Sequence, residues 1–264
     1  NTARYMLGNL DGFDPNTRMA PVDMSDLDRW AVAQLGKLAQ TCRAAYNSYD
    51  FHIAYRAIYN FCVVEMSNFY LDIIKDRLYC GDEAGRASAQ SALFLILDGM
   101  TRLIAPVLAF TSDEIWAAMP HGKEDNAESV LFNDMPDFDP AFALSQEEEA
   151  RWNTIVKLRD VVNNALETAR SEKKIGKSLE AKIVLTVPAF ETAFDGLDAG
   201  TLADLFIVSQ AELQKSDMNE VKVDVTPAVG EKCPRCWKHD EHIGTEGHHA
   251  ELCDRCARVV AIEW

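Results

Sequence analysis

The chain has 264 residues, of which 48% are hydrophobic. This is enough apolar material for a buried core, which excludes a disordered or fibrous protein. Its 26 Lys and Arg residues against 42 Asp and Glu residues give a net charge of -16, which excludes an overall positive field that would draw the chain to nucleic acid or to an anionic membrane.

The cysteine count and the apolar runs bear on the cellular compartment. Seven cysteines are too few for a disulfide scaffold and cannot all pair, so we expect a reducing compartment, the cytoplasm. The apolar runs fall short of the roughly 20 residues that span a bilayer, so no membrane partner is expected. The chain begins at Asn1 with neither an initiator Met nor a signal sequence, which suggests a fragment.

Three stretches in the first 145 residues have helical periodicity. The first, 25–49, begins with capping oxygens at Ser25, and the second, 51–80, places its apolar residues on one broad face. The third, 86–119, contains Pro106, which removes a backbone donor and predicts a kink. Three long helices with short connections predict a helical bundle.

The pattern changes after a Pro-, Gly- and Asp-rich stretch at 120–140, which predicts a surface loop or a domain boundary. Ser145 and Glu148 form a capping box that opens a helix through about Lys174. Two segments of period two then predict strands; their apolar positions are Ile183, Leu185 and Val187, followed by Val221, Val223 and Val225. Residues 146–228 are thus predicted to form a small α+β domain.

The last 36 residues contain two C-x2-C pairs separated by sixteen residues, Cys233 with Cys236 and Cys253 with Cys256. This spacing is typical of a closed tetrahedral zinc site, in which four thiolates hold one structural ion. So short a segment cannot bury a sufficient core, so metal binding would supply its folding free energy. Unpaired or disulfide-linked thiols are the alternative; a redox C-x-x-C would need a βαβ context that this segment lacks.

Four of the six histidines lie in the same segment: His239, His242, His248 and His249. Any of them could replace a cysteine as ligand. Four sulfurs already complete a tetrahedron, so we expect these histidines at the surface or behind the ligands.

Basic and aromatic residues flank the cysteines, namely Arg235, Trp237, Lys238, Arg255 and Arg258. An aromatic face beside guanidinium groups is how proteins hold the unstacked bases of single-stranded loops. The alternative is that Trp237 merely covers the zinc site. The residues alone do not decide between these two hypotheses.

Other motifs do not predict catalysis. The segment Lys174–Ser178 resembles the end of a phosphate-binding loop, but Ser171 stands where that loop needs its first Gly. Cys42, Cys62 and Cys80 fall at or near apolar helix faces, which indicates small core residues rather than nucleophiles. No catalytic residue is therefore assigned to this chain.

Several segments resemble a known family. The runs 1–10, 27–30, 61–70 and 105–116 are similar to the anticodon-binding helical domain of the class I synthetases for Ile, Val and Leu. The segment 175–181 and the two closing cysteine pairs narrow the resemblance to the bacterial-type isoleucyl-tRNA synthetases.

The resemblance implies a mainly α fold in three parts: a helical anticodon-binding bundle at 1–145, a small α+β junction domain at 146–228 and a four-cysteine zinc module at 229–264. It implies that the full enzyme ligates isoleucine to its tRNA, with ATP bound only in a catalytic domain absent from this chain. The expected partner is the anticodon stem-loop of the isoleucine tRNA, bound by a monomer, and Arg235 and Trp237 match family positions that contact anticodon bases.

Two functions from other classes remain open. A DNA repair glycosylase carries a C-terminal zinc finger of similar cysteine spacing, although its N-terminal nucleophile and helix-two-turn-helix domain are not recognisable here. The other is a protein-interaction module in which zinc is purely structural.

Overall fold

A computed structural model describes residues 1–245 and 249–263, with side chains described through Ala261. The chain is mainly helical, as predicted, with a small sheet region and a cysteine cluster near its C-terminus. It divides into two compact units. The first unit comprises Asn1–Leu78 and Asp82–Leu144, and the second comprises Tyr79–Gly81 with the described residues from Ser145 onward. The three-part division at 145 and 228 stays a prediction.

The first unit is built from helices. After a short N-terminal helix α1 (Thr2–Gly8), helix α2 (Asp26–Asn47) begins at Ser25, whose hydroxyl accepts a hydrogen bond from the Asp28 amide at 3.3 Å. The expected apolar face of α2 is buried, which confirms the first helical stretch; it includes Leu27, Trp30, Ala31, Leu35 and Leu38.

The second predicted helix is helical but is not a single α-helix. Helix α3 (Phe51–Asn60) passes directly into a π-helix (Phe61–Tyr70), which is followed by α4 (Leu71–Ile73) and α5 (Lys75–Cys80). The prediction of a helix here is confirmed, although the stretch is not regular throughout. Phe61 and Met66, five residues apart, are both buried, which suits the wider π turn.

The third predicted helix is broken rather than kinked. Helix α6 (Glu83–Ile104) ends before Pro106, and α7 (Ala109–Ala118) starts after it. The amides of Val107 and Leu108 both donate to the carbonyl of Ile104, at 3.0 and 2.8 Å. Because proline has no N–H and cannot continue the ladder, the chain makes a tight turn at this point.

A polar network lies inside the core of the first unit. The carboxylate of Asp28 is fully buried and accepts two bonds from the Arg77 guanidinium, each at 2.8 Å. It also accepts bonds from the hydroxyls of Tyr70 at 2.8 Å and Ser88 at 2.5 Å. The network joins α2 to the π-helix, α5 and α6, and a buried carboxylate with this many donors is satisfied rather than orphaned.

The second unit combines one long helix with a small sheet. Helix α8 (Gln146–Ser171) has the predicted capping box, with the Ser145 amide donating to Glu148 at 2.8 Å and the Glu148 amide donating to Ser145 at 3.2 Å. Strand β1 (Ala181–Pro188) buries alternate residues, as predicted, and β3 (Lys222–Pro227) pairs with it antiparallel.

Two further elements of this unit were not predicted. Helix α9 (Ala199–Phe206) leads to strand β2 (Gln210–Ser216), which pairs parallel with β1 and gives the sheet order β2-β1-β3. Beyond the sheet lie a two-stranded ribbon, β4 (Glu231–Lys232) with β5 (His239–Asp240), and helix α10 (Asp254–Glu263). Among the described residues, we find no helix with the length and apolarity to span a membrane.

Candidate functional site

The four cysteines of the two C-x2-C pairs come together in the second unit. Cys233, Cys236, Cys253 and Cys256 are buried, and their sulfur atoms all lie within 4.8 Å of one another. The Sγ atoms of Cys236 and Cys253 are 3.8 Å apart. A tetrahedral zinc ion with Zn–S bonds of about 2.3 Å requires S–S separations of about 3.8 Å, so the residues present fit one structural zinc.

Local structure places each cysteine pair. The first pair lies in the turn between β4 and β5, where the Trp237 amide donates to the Cys233 carbonyl at 2.8 Å. The second pair lies at the start of α10, where the Ala257 amide donates to the Cys253 carbonyl at 2.9 Å. The N-terminal end of a helix favours negative charge, which suits thiolate ligands.

Hydrogen bonds among the sulfurs shift their pKa values in opposite directions. Interactions with the neighbouring sulfurs of Cys253 and Cys256 lower the pKa of Cys236 far below its usual range. In return, the hydrogen bond to Cys236 raises the pKa of Cys253 to about 11 and raises that of Cys256 well above its usual range. Because the pKa values of Cys253 and Cys256 are raised, zinc binding would displace protons from these thiols.

Arg235 lies against the cysteine cluster and contacts Cys80. Its guanidinium donates to the Cys80 carbonyl at 2.8 Å and lies 3.8 Å from the sulfur of Cys256, while the thiol of Cys80 donates to the Arg235 carbonyl at 3.4 Å. Cys80 is buried, which confirms its prediction as a small core residue. A guanidinium at this distance offsets the negative charge of four thiolates around a divalent ion.

Trp237 presents its ring to solvent. The side chain is 60% exposed, and the ammonium of Lys232 lies 5.7 Å from the centre of the indole. The backbone of Trp237 has φ of 65°, a left-handed conformation that costs a non-glycine residue about 1 to 2 kcal/mol. The ring of Trp237 is therefore largely open to solvent, and its contact with a nucleic-acid base stays a prediction.

The other four residues predicted to contact nucleic acid differ in surroundings. Arg258 is exposed on α10 and Arg255 is half-buried, whereas the ammonium of Lys238 forms an ion pair with Asp204 of α9. Arg235, through the contacts above, and Lys238 are therefore held by partners within the protein. Contact of any of the five with nucleic acid stays a prediction.

The described histidines of this segment do not belong to the metal-binding group. The His239 amide donates to Ser209 at 2.7 Å, and the His242 side chain is largely exposed, 3.4 Å from Asp240. His248 lies outside the described residues. Where the structure is described, the metal-binding group consists of the four cysteines alone.

Sequence reasoning missed a groove beside Trp237. It has a volume of about 260 Å³ and is lined by Lys177, Leu179, Glu180, Lys232 and Trp237. The first three lie in or next to the segment that resembles the end of a phosphate-binding loop but lacks its first Gly. Local charge is the sequence feature that could have indicated this groove. Residues 170–182 contain five basic and two acidic residues, whereas the chain as a whole is strongly acidic.

Comparison with known proteins gives matches over most of the chain. Residues 28–185 match the family of the anticodon-binding domain of tRNA ligase, and residues 230–259 match a zinc finger found in FPG and IleRS. The isoleucine–tRNA ligase of Syntrophotalea carbinolica is 47% identical over 98% of this chain, and that of Geobacter sulfurreducens is 44% identical over 98%. The chain spans 29% of the length of each of these two relatives.

Proposed function

Because this chain belongs to the family of anticodon-binding domains of tRNA ligases, we propose that it recognises the anticodon stem-loop of the isoleucine tRNA. One observation carries the proposal: the anticodon-binding match at 28–185 is followed in the same chain by the zinc-finger match at 230–259. The relatives that share both regions are named isoleucine–tRNA ligases.

The whole protein would then ligate isoleucine to its tRNA with ATP. ATP and isoleucine would bind in the part of the protein that corresponds to the remaining length of the relatives, so the chain described here would contribute binding and no catalytic group. We propose that the protein acts as a monomer in the cytoplasm, where its reduced cysteines stay available to zinc.

The zinc ion would have a structural role. Four cysteine ligands leave no open coordination position, so the ion would fix the turn that carries Trp237 instead of activating water. Arg235 and Lys238, held by Cys80 and Asp204, would keep the same turn in place. Trp237 and Arg258, which are exposed, would then be the first of the predicted residues to meet RNA.

The net charge of -16 constrains how tRNA could bind. Affinity for a polyanion rises with the number of phosphates that Lys and Arg neutralise. An acidic chain can offer only local basic patches, so specificity would come from splayed anticodon bases that stack on an aromatic ring and bond through their edges.

The second candidate is the DNA-binding region of a repair glycosylase, since the zinc-finger match is shared with FPG. The anticodon-binding match over 28–185 favours tRNA instead. A structural zinc in a protein-interaction module is the third possibility, and it predicts no preference among nucleic acids.

The test is a binding titration of the zinc-loaded chain. The isoleucine tRNA transcript should bind more tightly than transcripts with altered anticodons and more tightly than duplex DNA that contains a damaged base. Equal binding to every transcript would count against anticodon recognition, and preference for damaged DNA would support the glycosylase.

A further inference from the structure

A fifth cysteine packs against the four zinc-ligand cysteines. Cys80, the last residue of α5, belongs to the same buried cluster as the two C-x2-C pairs. The group whose sulfurs lie close enough to hold one ion comprises the other four cysteines, and four sulfurs complete the tetrahedron of a zinc ion. The cluster therefore contains one thiol more than zinc requires.

Hydrogen bonds hold Cys80 beside Cys236. The Cys80 thiol donates to the Arg235 carbonyl at 3.4 Å, and this carbonyl is part of the peptide bond between Arg235 and Cys236. In the opposite direction, the Arg235 guanidinium donates to the Cys80 carbonyl at 2.8 Å. The Cys80 sulfur is thus fixed one peptide unit away from a zinc ligand.

The four ligands differ in how far solvent reaches them. Cys236 keeps 7% of its surface exposed, compared with 4% for Cys253, whereas Cys233 and Cys256 are fully buried. A small oxidant from solvent, such as hydrogen peroxide, therefore meets Cys236 before the other ligands. Cysteines bind zinc as thiolates, and the thiolate is the form of cysteine that reacts with an oxidant.

We propose that Cys80 and Cys236 form a peroxide-sensitive pair, in which oxidation joins the two residues by a disulfide and removes one ligand from the zinc site. Cys80 suits this role because zinc does not need its sulfur, which can react without first leaving the metal. Burial of Cys80 does not prevent the reaction, because the sulfur that it attacks is generated inside the cluster. The inference goes beyond the proposed function and does not depend on tRNA recognition.

The reaction has two steps. In the first, the Cys236 thiolate attacks one oxygen of hydrogen peroxide; an S–O bond forms, the O–O bond breaks, and the departing hydroxide takes the proton of the Cys80 thiol to form water. In the second, the Cys80 thiolate attacks the sulfenic sulfur of Cys236; an S–S bond forms and the S–O bond breaks, with loss of hydroxide. The two sulfurs lose two electrons, and peroxide gains them.

The disulfide weakens the zinc module and can be reversed. Three thiolates remain as ligands, and because metal binding supplies the folding free energy of such a segment, the turn between β4 and β5 loses its support. A dithiol reductant restores both thiols by thiol–disulfide exchange. Disulfides in a reducing compartment are usually transient and redox-sensing, which suits a bond that forms and breaks in this way.

The first experiment treats the full, zinc-loaded chain with hydrogen peroxide. Zinc should be released to a chromophoric chelator, and mass spectrometry of unreduced peptides should find Cys80 linked to Cys236. Dithiothreitol and added zinc should then restore the zinc content. Absence of zinc release, or release with disulfides that do not join Cys80 to Cys236, would overturn the proposal.

Cys80→Ser tests whether the fifth thiol protects the site. Serine keeps a donor for the Arg235 carbonyl but cannot close a disulfide, so Cys236 should pass on to the sulfinic acid, which dithiothreitol does not reduce. Zinc content before oxidation should match that of the unaltered chain, and the zinc content recovered after reduction should be several-fold lower.

Cys62→Ser is the matched control, because it removes a half-buried thiol of the first unit. It should recover zinc as the unaltered chain does, and equal recovery in Cys80→Ser would overturn the proposal. If Cys80→Ser binds no zinc even before oxidation, the disulfide map of the unaltered chain decides. None of these readouts involves RNA, so a negative result leaves the proposed function intact.

Discussion

The two units of the chain hold buried charge in different ways. In the first unit, the carboxylate of Asp28 is neutralised by Arg77 and bonded by three hydroxyls, those of Ser25, Tyr70 and Ser88, all supplied by the chain. In the second unit, four buried cysteines lie close enough for one ion, and only part of their charge is offset by Arg235. One unit is therefore complete when the chain folds, whereas the other requires a component from solution.

Removal of zinc is the test of this difference with the largest expected effect. For zinc fingers the metal supplies about 10 to 16 kcal/mol of apparent folding free energy, so a chelator should release one zinc per chain and abolish protease protection of residues 230–245 and 249–261. Helices α2 and α6 should keep their amide-exchange protection. Absence of zinc from protein purified without chelator would contradict the prediction.

The converse test breaks the polar network of the first unit. Asp28→Ala leaves the Arg77 guanidinium, whose side chain is only 20% exposed, without its partner, and should lower the free energy of unfolding by about 3 kcal/mol. The control Lys75→Ala removes an exposed ion pair with Asp72 and should cost less than about 1 kcal/mol. Zinc content, measured with a chromophoric chelator, should stay the same in both variants.

Substitutions of Trp237 test whether its exposed ring contributes to tRNA binding without contributing to zinc binding. Trp237→Gly should weaken tRNA binding by about 1 to 3 kcal/mol through loss of a base stack. Trp237→Phe keeps an aromatic face and should recover most of the affinity. Equal affinity for all three proteins in the tRNA titration would return Trp237 to a structural role.

Acid should weaken zinc binding through the cysteine protons. Zinc binds thiolates, and in the metal-free cluster the pKa of Cys253 is raised to about 11, so the ion must displace protons that the cluster holds at neutral pH. Each proton displaced lowers zinc affinity about tenfold, or about 1.4 kcal/mol, for each unit by which the pH falls. Competition with a chelator of known affinity at two pH values measures this; pH-independent affinity would mean that the thiols are already ionised.

The smallest expected effect concerns the backbone of Trp237. Glycine adopts a φ of 65° without strain, so Trp237→Gly should stabilise the zinc-bound fold by up to about 1 kcal/mol even as it weakens tRNA binding. Chelator concentration at half-release of zinc is the readout. Trp237→Ala, which also removes the ring but does not relieve the backbone, is the control, and an equal loss of stability in both variants would show that the ring packs for structure.

Local patterns explain what the sequence could predict. The spacing of apolar residues in α2 and β1 and the capping box at Ser145 are signals from residues close in sequence, and the two C-x2-C pairs lie only sixteen residues apart. The structure contains all of these features. Helix α9 has only eight residues, too few for a periodic signal, and so it was missed.

Long-range contacts explain what the sequence could not predict. Asp28 and Arg77 are 49 positions apart, and no local rule pairs them. The groove likewise unites residues 177–180 with Lys232 and Trp237. The internal partners of Arg235 and Lys238 arise in the same way, because charge and residue type alone do not distinguish a cation held by its own protein from one that meets a ligand.

The bond between Arg235 and Cys80 has a consequence for synthesis. The two residues are separated by 155 positions, and at about 5 to 20 residues per second a ribosome needs roughly 8 to 30 s to add the intervening chain. Throughout that interval Arg235, whose carbonyl accepts the hydrogen bond of the Cys80 thiol, does not yet exist. A nascent chain stalled between these residues should react at Cys80 with a thiol reagent, and the finished protein should be protected there.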